Sequence, residues 1–228
     1  MGEMFWERGW RIGNKTILFY LCVKNVRKKD RIENNMTKRV CVYCASSTQV
    51  DEAYKREAKR LGELLSKNGI ACNYGGGAVG LMGELAQSML EHGGEITGII
   101  PRFMVERGWD NPNVTEVETS SMHLRKERMT QDVDAAIALP GGCGTIEELM
   151  EIITWKQLGL FLKPIVIVNV NHFFDPLLSM LDKCVEERFM SEKLKKTWTV
   201  VSSADEVIAA IEEGHPWGKE ESDKYASL

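Results

Sequence analysis

Two glycine-rich segments of the sequence have the composition of anion-binding loops. The first runs over residues 75–83 (GGGAVGLMG) and the second over residues 140–145 (PGGCGT), and each separates an apolar, strand-like run from a helical pattern. Glycine lets backbone N–H groups approach an anion closely, and the start of a helix carries about half a positive charge. Either loop alone is typical of a tight strand-to-helix turn. The two together favour a compact phosphate group as the ligand.

The first loop also satisfies the dinucleotide pattern G-x-G-x-x-G with Gly75, Gly77 and Gly80. Glu95 lies at a distance where a ribose-binding acid could occur, but it can equally be a solvated side chain. The second glycine loop argues against a dinucleotide. Neither loop continues into Gly-Lys-Ser/Thr, so a P-loop that binds a triphosphate is excluded.

A carboxylate follows the second loop closely. Thr145 and Glu148 have the spacing of a capping box, with Thr145 as N-cap and Glu148 at the third helical position. The same spacing places a carboxylate within one helical turn of a phosphate-binding loop, where it could reach the sugar of a bound nucleotide. A structural and a catalytic role remain open, and the two can coexist.

A basic pair stands at the expected start of another helix. Arg125 can clamp an anion or a carboxylate with its planar, two-pronged guanidinium, and Lys126 is either a second anion-binding group or part of a solvated basic face. The four histidines lack a metal-ligand spacing, and no serine lies in a G-x-S-x-G turn. The sequence therefore favours neither a metal site nor acyl transfer.

The elements that must position these residues alternate along the chain from residue 39. Short β-rich runs separated by helical periodicities predict a single-domain α/β fold: a doubly wound, mostly parallel, Rossmann-like sheet with helices on both faces. The predicted strands cover residues 40–44, 70–74, 96–100, 114–119, 135–139, 165–170 and 197–201. The predicted helices cover residues 52–67, 81–91, 123–131, 146–158, 176–188 and 204–213. In such a sheet ligands bind at the carboxyl ends of the strands, which directs attention to residues 45–47, 75–83 and 140–145.

The domain is expected to span residues 37–215. Residues 1–36 are interpreted as a leader or an over-extended translation start, because Met36 opens Met-Thr-Lys-Arg-Val-Cys-Val-Tyr, a common start for an α/β domain. The apolar run at residues 16–23 is too short to cross a bilayer as a helix, and the small-residue cleavage pattern of a signal peptide does not follow it. Residues 216–228 are predicted to be a loose, charged tail.

Composition narrows the function classes. A net charge of −4 and a pI near 5.7 give no general attraction for nucleic acid, and no membrane association is expected. The six cysteines lie mostly in apolar runs and predict reduced, buried thiols in a cytoplasmic protein. Cys41 and Cys44 form C-x-x-C within a strand, which turns them to opposite faces and disfavours a metal or redox site.

These motifs are recognisable as a set. Residues 140–148 match P-G-G-x-G-T-x-x-E, and residues 44–47 (CASS), 74–83 (YGGGAVGLMG), 122–126 (MHLRK) and 153–159 (ITWKQLG) accompany that match. From about residue 39 to 211 the chain resembles the Lonely Guy (LOG) family of cytokinin-activating nucleoside 5′-monophosphate phosphoribohydrolases. Members are often labelled lysine decarboxylases, but no lysine here is marked as a Schiff-base residue, and that label is rejected.

The resemblance implies hydrolysis of an N-glycosidic bond, giving a free base and ribose 5-phosphate from AMP or an N6-substituted AMP. It implies that Arg125 and Glu148 are catalytic and that no cofactor or metal is needed. The substrate-binding residues it implies are Ser46, Gly76, Gly77, Met122, Lys126, Gly141, Gly142, Gly144, Thr145 and Thr154. The match departs over residues 102–120, where residues 105–112 (VERGWDNP) have no confident counterpart in the family. This loop could contact the base, so base preference is left open.

Two rival functions belong to other classes. Molybdenum-cofactor carrier proteins have similar folds and glycine loops, and the presence of both Arg125 and Glu148 argues against that non-catalytic role. A single-stranded DNA-binding Rossmann domain would need a basic stripe interleaved with aromatic residues, which is lacking.

The last expectation concerns assembly. The helix predicted after the second glycine loop has an apolar stripe of Ile146, Leu149, Met150 and Ile153, widened by neighbouring Ile152, Trp155 and Leu158. This surface exceeds what is needed to cover one sheet, although the same chain could bury it. Members of the resembled family are typically dimers joined through this region. We therefore expect a two-fold homodimer with Trp155 near the interface and Thr154 near the active site.

Overall fold

The computed structural model describes residues 38–214 and 217–218. Their seven strands form one sheet in which every neighbouring pair is parallel, in the order β4-β3-β2-β1-β5-β6-β7. The strands are β1 (Arg39–Tyr43), β2 (Ala71–Tyr74), β3 (Ile96–Pro101), β4 (Thr115–Thr119), β5 (Ala135–Ala138), β6 (Ile165–Val168) and β7 (Thr199–Val201). The predicted α/β fold is confirmed, and the sheet is wholly parallel.

The described part of the chain has seven α-helices, of which the first six lie between strands and the last follows β7. They are α1 (Glu52–Lys67), α2 (Gly80–Glu91), α3 (Arg102–Val105), α4 (Met122–Thr130), α5 (Cys143–Gln157), α6 (Asp175–Glu186) and α7 (Val207–Glu212). Sequence reasoning missed α3, a single turn after β3. Across residues 38–214, no helix is both long and apolar enough to cross a membrane.

Helices cover both faces of the sheet, as predicted. Alternate residues of β1 separate into two buried clusters, with Val40 and Val42 in one and Cys41 and Tyr43 in the other. Side chains of α1, α2 and α7 fill the first cluster, and those of α4, α5 and α6 fill or border the second. Strands covered on both faces explain the nearly continuous apolar runs in the sequence.

The cysteines largely follow their predicted positions. Cys41 and Cys44 are buried in opposite layers, and no disulfide links the described cysteines. Cys143 corrects the prediction of general burial, because it is exposed at the first position of α5. Cys184 is half-buried, and Cys22 lies outside the described residues.

The sheet has one topological switch point. Strand β1 lies between β2 and β5, so the chain winds outward in one direction through β4 and in the other through β7. The loop after β1 leads to α1 on one face of the sheet and the loop after β5 leads to α5 on the other, which opens a crevice between the two helices at the carboxyl edge. Residues 45–47 and 140–145 therefore meet at this edge.

The leader proposed for residues 1–36 lies outside the described residues. Of the predicted loose tail, only Trp217 and Gly218 are described, and Trp217 is buried. The rest of the tail prediction also lies outside the described part of the chain.

Candidate active site

A cavity of about 700 Å³ opens at the carboxyl edge of the sheet. All three loops singled out in the sequence contribute to its wall, together with α3, α4 and the loop after α3. Its lining consists of Val42, Tyr43, Cys44, Ala45, Ser46, Ser47, Gly75, Gly77, Ala78, Val79, Met82, Ile100, Met104, Gly108, Trp109, Asp110, Met122, Arg125, Gly142, Gly144, Thr145 and Glu148. The volume is in the range of small-molecule sites.

Backbone hydrogen bonds hold the three loops together. The N–H of Ala45 donates to the carbonyl of Pro140 at 3.3 Å, and the N–H of Met82 donates to the carbonyl of Ala45 at 3.2 Å. Gly80 makes this approach possible: its φ is +62°, and a Cβ there would lie 2.5 Å from the carbonyl oxygen of Ser47. The cavity wall is thus one cross-linked unit.

Arg125 is the buried cation of the site. It lies on the inner face of α4, only 8% exposed, and its Nη1 donates to Glu148 Oε1 at 2.7 Å. Its Nε donates to the carbonyl of Ile99 at 3.0 Å, and its Nη2 donates to the carbonyl of Gly75 at 3.4 Å. The guanidinium therefore bridges the ends of β2 and β3 to α5.

Glu148 does not form the predicted capping box. The N-cap of α5 is Gly142, and the helix begins at Cys143, so Thr145 and Glu148 both lie inside it. Glu148 is 9% exposed, lines the cavity and pairs with Arg125. Burial raises the pKa of its carboxyl above the ordinary value, and the neighbouring Arg125 opposes that shift. A buried carboxylate held by one cation can respond strongly to positive charge that develops in the cavity.

The second glycine loop leaves open space where a ligand could approach. A Cβ added to Gly142 or Gly144 would meet no atom within 4 Å, and both residues line the cavity at the start of α5. Gly141 is different, because a Cβ there would overlap the side chain of buried Thr145. Gly141 therefore allows close packing against Thr145, whereas Gly142 and Gly144 leave their backbone accessible to a ligand.

The first glycine loop is more tightly packed. Gly75 leaves room for the Arg125 guanidinium, since an added Cβ would lie 2.6 Å from Nη2. Gly76 has a φ of +82° and packs beneath Ile100. Gly77 pairs with Asp110 in an isolated antiparallel bridge, which fastens the loop after α3 across the cavity mouth.

The structure brings eight of the twelve sequence-predicted site residues to the cavity. They are Ser46, Gly77, Met122, Arg125, Gly142, Gly144, Thr145 and Glu148. The other four lie outside its lining: Gly76, Lys126, Gly141 and Thr154. Of these four, Gly76 packs against Ile100 and Gly141 packs against Thr145.

Lys126 and Thr154 lie away from the cavity lining. Lys126 Nζ forms ion pairs with Glu147 and Glu151 of α5 at 2.6 and 2.9 Å. Exposed Thr154 donates its hydroxyl to the carbonyl of Met150 at 2.8 Å. Their roles in substrate binding remain predictions.

Several lining residues were not identified from the sequence. Tyr43 ends β1 beside the catalytic candidates, and burial raises the pKa of its phenol well above the usual range. Met104, Trp109 and Asp110 come from the segment where the family resemblance fades. Residues 105–112 were expected to form a loop that could contact the base, but no individual side chain in it was singled out. Over residues 38–214, no group of three or more His, Cys, Asp or Glu side chains is arranged to hold a metal ion.

Several known proteins resemble this chain in sequence or in fold. A family model described as "Possible lysine decarboxylase" matches residues 82–211. The cytokinin riboside 5′-monophosphate phosphoribohydrolase LOG7 of Arabidopsis thaliana is 40% identical over 180 residues, covering 78% of this chain and 83% of its own. Its relative LOG1 from the same plant is 43% identical over 181 residues, covering 78% and 84%.

Solved structures share the fold at greater distance. The molybdenum cofactor carrier protein of Chlamydomonas reinhardtii superposes with a TM-score of 0.58 at 18% identity, covering 78% of this chain and 97% of its own. The molybdenum cofactor binding protein of Rippkaea orientalis gives a TM-score of 0.59 at 21% identity, covering 78% and 98%. Identities this low establish the fold alone. With relatives 40–43% identical over most of both chains, and with its P-G-G-x-G-T-x-x-E loop and helix intact, the chain belongs to the LOG family.

Proposed function

We propose that this protein hydrolyses the N-glycosidic bond of a nucleoside 5′-monophosphate, releasing the free base and ribose 5-phosphate. The observation that carries the proposal is the buried Arg125–Glu148 pair, which lines the cavity one helical turn beyond the open glycine backbone of residues 142–144. Phosphate recognition and a reactive carboxylate are thereby adjacent.

The chemistry needs a negative charge near the ribose ring. Cleavage of an N-glycosidic bond builds positive charge on the ring, and a carboxylate placed beneath it stabilises that charge. Glu148 supplies the carboxylate, and it can also hold a ribose hydroxyl or orient the attacking water. Arg125 fixes the carboxylate through the 2.7 Å hydrogen bond. The guanidinium of Arg125 is itself held in place by its two hydrogen bonds to the carbonyls of Ile99 and Gly75.

The phosphate group fits the amino end of α5. Gly142 and Gly144 leave their backbone open to the cavity, and the helix dipole favours an anion there. A bound 5′-phosphate would place the ribose close to Thr145 and Glu148, which follow on the next turn.

The relatives suggest the substrate class. They are named for a cytokinin riboside 5′-monophosphate, so we propose AMP or an N6-substituted AMP as the substrate. The carrier role is the weaker candidate, because a non-catalytic site does not require a desolvated Glu148 held by Arg125. No organic cofactor enters the proposed reaction, and a cytoplasmic location remains a prediction.

We also propose that the enzyme works as a homodimer joined near the end of α5. Three leucines in and after the helix terminus are exposed: Leu158 (57%), Leu160 (71%) and Leu162 (42%). Trp155 is half-buried against its own core, so the leucines offer the sharper test of an interface. Thr154 is exposed on the same part of the helix.

A chromatographic substrate screen tests the proposed reaction. Purified protein is incubated with AMP, N6-substituted AMP, adenosine and free lysine, in the presence and absence of EDTA. We expect base release from the monophosphates alone, at a rate unaffected by EDTA, because the open glycine loop recognises the 5′-phosphate. Equal turnover of adenosine, or formation of cadaverine from lysine, would overturn the assignment.

A further inference from the structure

The loop after α3 forms one side of the cavity mouth. Met104, Gly108, Trp109 and Asp110 all line the cavity. The loop is fastened at its start, where the N–H of Trp109 donates to the carbonyl of Met104 at 3.1 Å, and at its end by the bridge between Asp110 and Gly77. Its side chains therefore have a defined position relative to the cavity floor.

The indole of Trp109 is held by an unusual stack. The guanidinium carbon of Arg107 lies 5.1 Å from the Trp109 ring centroid and 5.5 Å from that of Phe103. A cation over an aromatic face is stabilising even at an exposed site. The indole nevertheless remains 54% exposed while it lines the cavity. Arg107 thus holds one face of the indole, while more than half of its surface stays exposed at the mouth.

The positions of the loops along the sheet indicate which part of a bound nucleotide would lie near Trp109. In the order β3-β2-β1-β5, the open glycines follow β5 and the Trp109 loop follows β3, three strand spacings or about 14 Å away. Arg125 lies between them, since it contacts the ends of β2 and β3 and pairs with Glu148 of α5. A nucleotide with its phosphate on the glycines and its glycosidic bond near Glu148 would extend its base toward Trp109.

We propose that Trp109 stacks on the base of the nucleotide and that Asp110 selects a base with an exocyclic amino group, a 6-aminopurine in preference to a 6-oxopurine. This inference rests on the proposed function for the orientation of the ligand. Aromatic side chains stack on the π-face of any base. An ionised carboxylate only accepts hydrogen bonds, so Asp110 attracts an amino donor and repels an oxo group. Stacking therefore provides affinity, and the carboxylate provides discrimination.

Binding and turnover test the two residues separately. Dissociation constants for AMP, IMP and ribose 5-phosphate are measured by calorimetry with the unsubstituted loop, Trp109→Ala, Trp109→Phe and Asp110→Asn, each in the Glu148→Gln background so that AMP is not consumed during the titration. Phe189→Ala is the matched control, because Phe189 is 85% exposed and absent from the cavity lining. Rates of base release are measured with the same loop substitutions in proteins that retain Glu148.

Trp109→Ala is expected to weaken AMP binding about tenfold or more, leave ribose 5-phosphate binding unchanged, and be largely rescued in Trp109→Phe. Asp110→Asn is expected to lower the preference for AMP over IMP at least tenfold, since an amide can donate to an oxo group. An AMP affinity in Trp109→Ala within twofold of that with the unsubstituted loop, or equal losses for AMP and ribose 5-phosphate, would overturn the stacking role. An unchanged AMP-to-IMP ratio in Asp110→Asn would overturn the selection. If AMP binds but the wild type releases no base, the hydrolase proposal fails, while the affinities still decide the role of Trp109.

Discussion

Replacing Arg125 by methionine should expose the electrostatic cost of the Glu148 carboxylate. The substitution keeps an apolar side chain of similar length and removes the cation that bonds Glu148 Oε1 at 2.7 Å. Both groups are at least nine-tenths buried. An uncompensated buried carboxylate is strongly unfavourable, so the carboxyl takes up a proton instead.

That protonation sets the size of the effect. Protonating a carboxyl with an ordinary pKa of about 4.3 at pH 7 costs at most about 4 kcal/mol, at 1.36 kcal/mol per pH unit. In Arg125→Met the folded pKa of Glu148 rises further above the unfolded value, so stability is greatest below the unfolded pKa and is lost as pH rises. Compared with a variant that also lacks the buried carboxylate, we expect the free energy of unfolding of Arg125→Met to be lower by about 3–4 kcal/mol at pH 7 and by about 1 kcal/mol at pH 5.

The double variant Arg125→Met/Glu148→Gln is the matched control. Both variants lose the bonds from Arg125 to the carbonyls of Ile99 and Gly75, so those losses cancel in the comparison. The double variant has no buried carboxylate and should be more stable than Arg125→Met at pH 7, with little dependence on pH. Urea unfolding between pH 5 and pH 8 gives both free energies of unfolding. A pH-independent deficit in Arg125→Met, or a double variant equally unstable at pH 7, would refute a buried ionised pair.

Three further predictions concern the loop, the acid and the assembly. Gly142→Ala should fold normally but raise KM for AMP, because the added methyl group enters the open space where the phosphate is expected to bind. Gly141→Ala should instead lower thermal stability, because its methyl group would overlap Thr145; equal effects of the two substitutions on stability would contradict this distinction. Because burial raises the pKa of Glu148, kcat/KM should fall as acidification protonates this carboxyl, with a midpoint above the ordinary pKa of a glutamate side chain. A midpoint at or below that ordinary value would argue against Glu148 as the essential carboxylate. Leu160→Glu should convert a dimer into a monomer by light scattering; a wild-type particle of 25.8 kDa at micromolar concentration with full activity would show that no dimer is required.

Hydrophobic periodicity was sufficient to predict the sheet and most helices. Strands β1, β2, β3, β5 and β6 are almost entirely buried, so their apolar runs are conspicuous in the sequence. The observed bounds of the predicted elements differ by only a few residues. Helix α3 was not predicted, because its four residues are too few to show a helical hydrophobic periodicity. The bridge between Gly77 and Asp110 joins segments 33 positions apart and has no local signal.

The site was predicted less completely. The spacing of Thr145 and Glu148 suggested a capping box, but helix α5 begins at Cys143, before Thr145, and Thr145 instead packs against Gly141. The pairing of Arg125 with Glu148 spans 23 positions, and only the family resemblance joined them. Trp109 carried no recognisable motif, because its role depends on where the loop after α3 folds.

The most direct test of the central claim is the identity of the products formed from AMP. Phosphorus NMR and chromatography are applied to the same reaction, with Glu148→Gln as the control. We expect the phosphate signal to move to that of ribose 5-phosphate while an equimolar amount of adenine appears, and we expect Glu148→Gln to produce neither. Release of adenosine with inorganic phosphate, or an unchanged rate in Glu148→Gln, would contradict that claim.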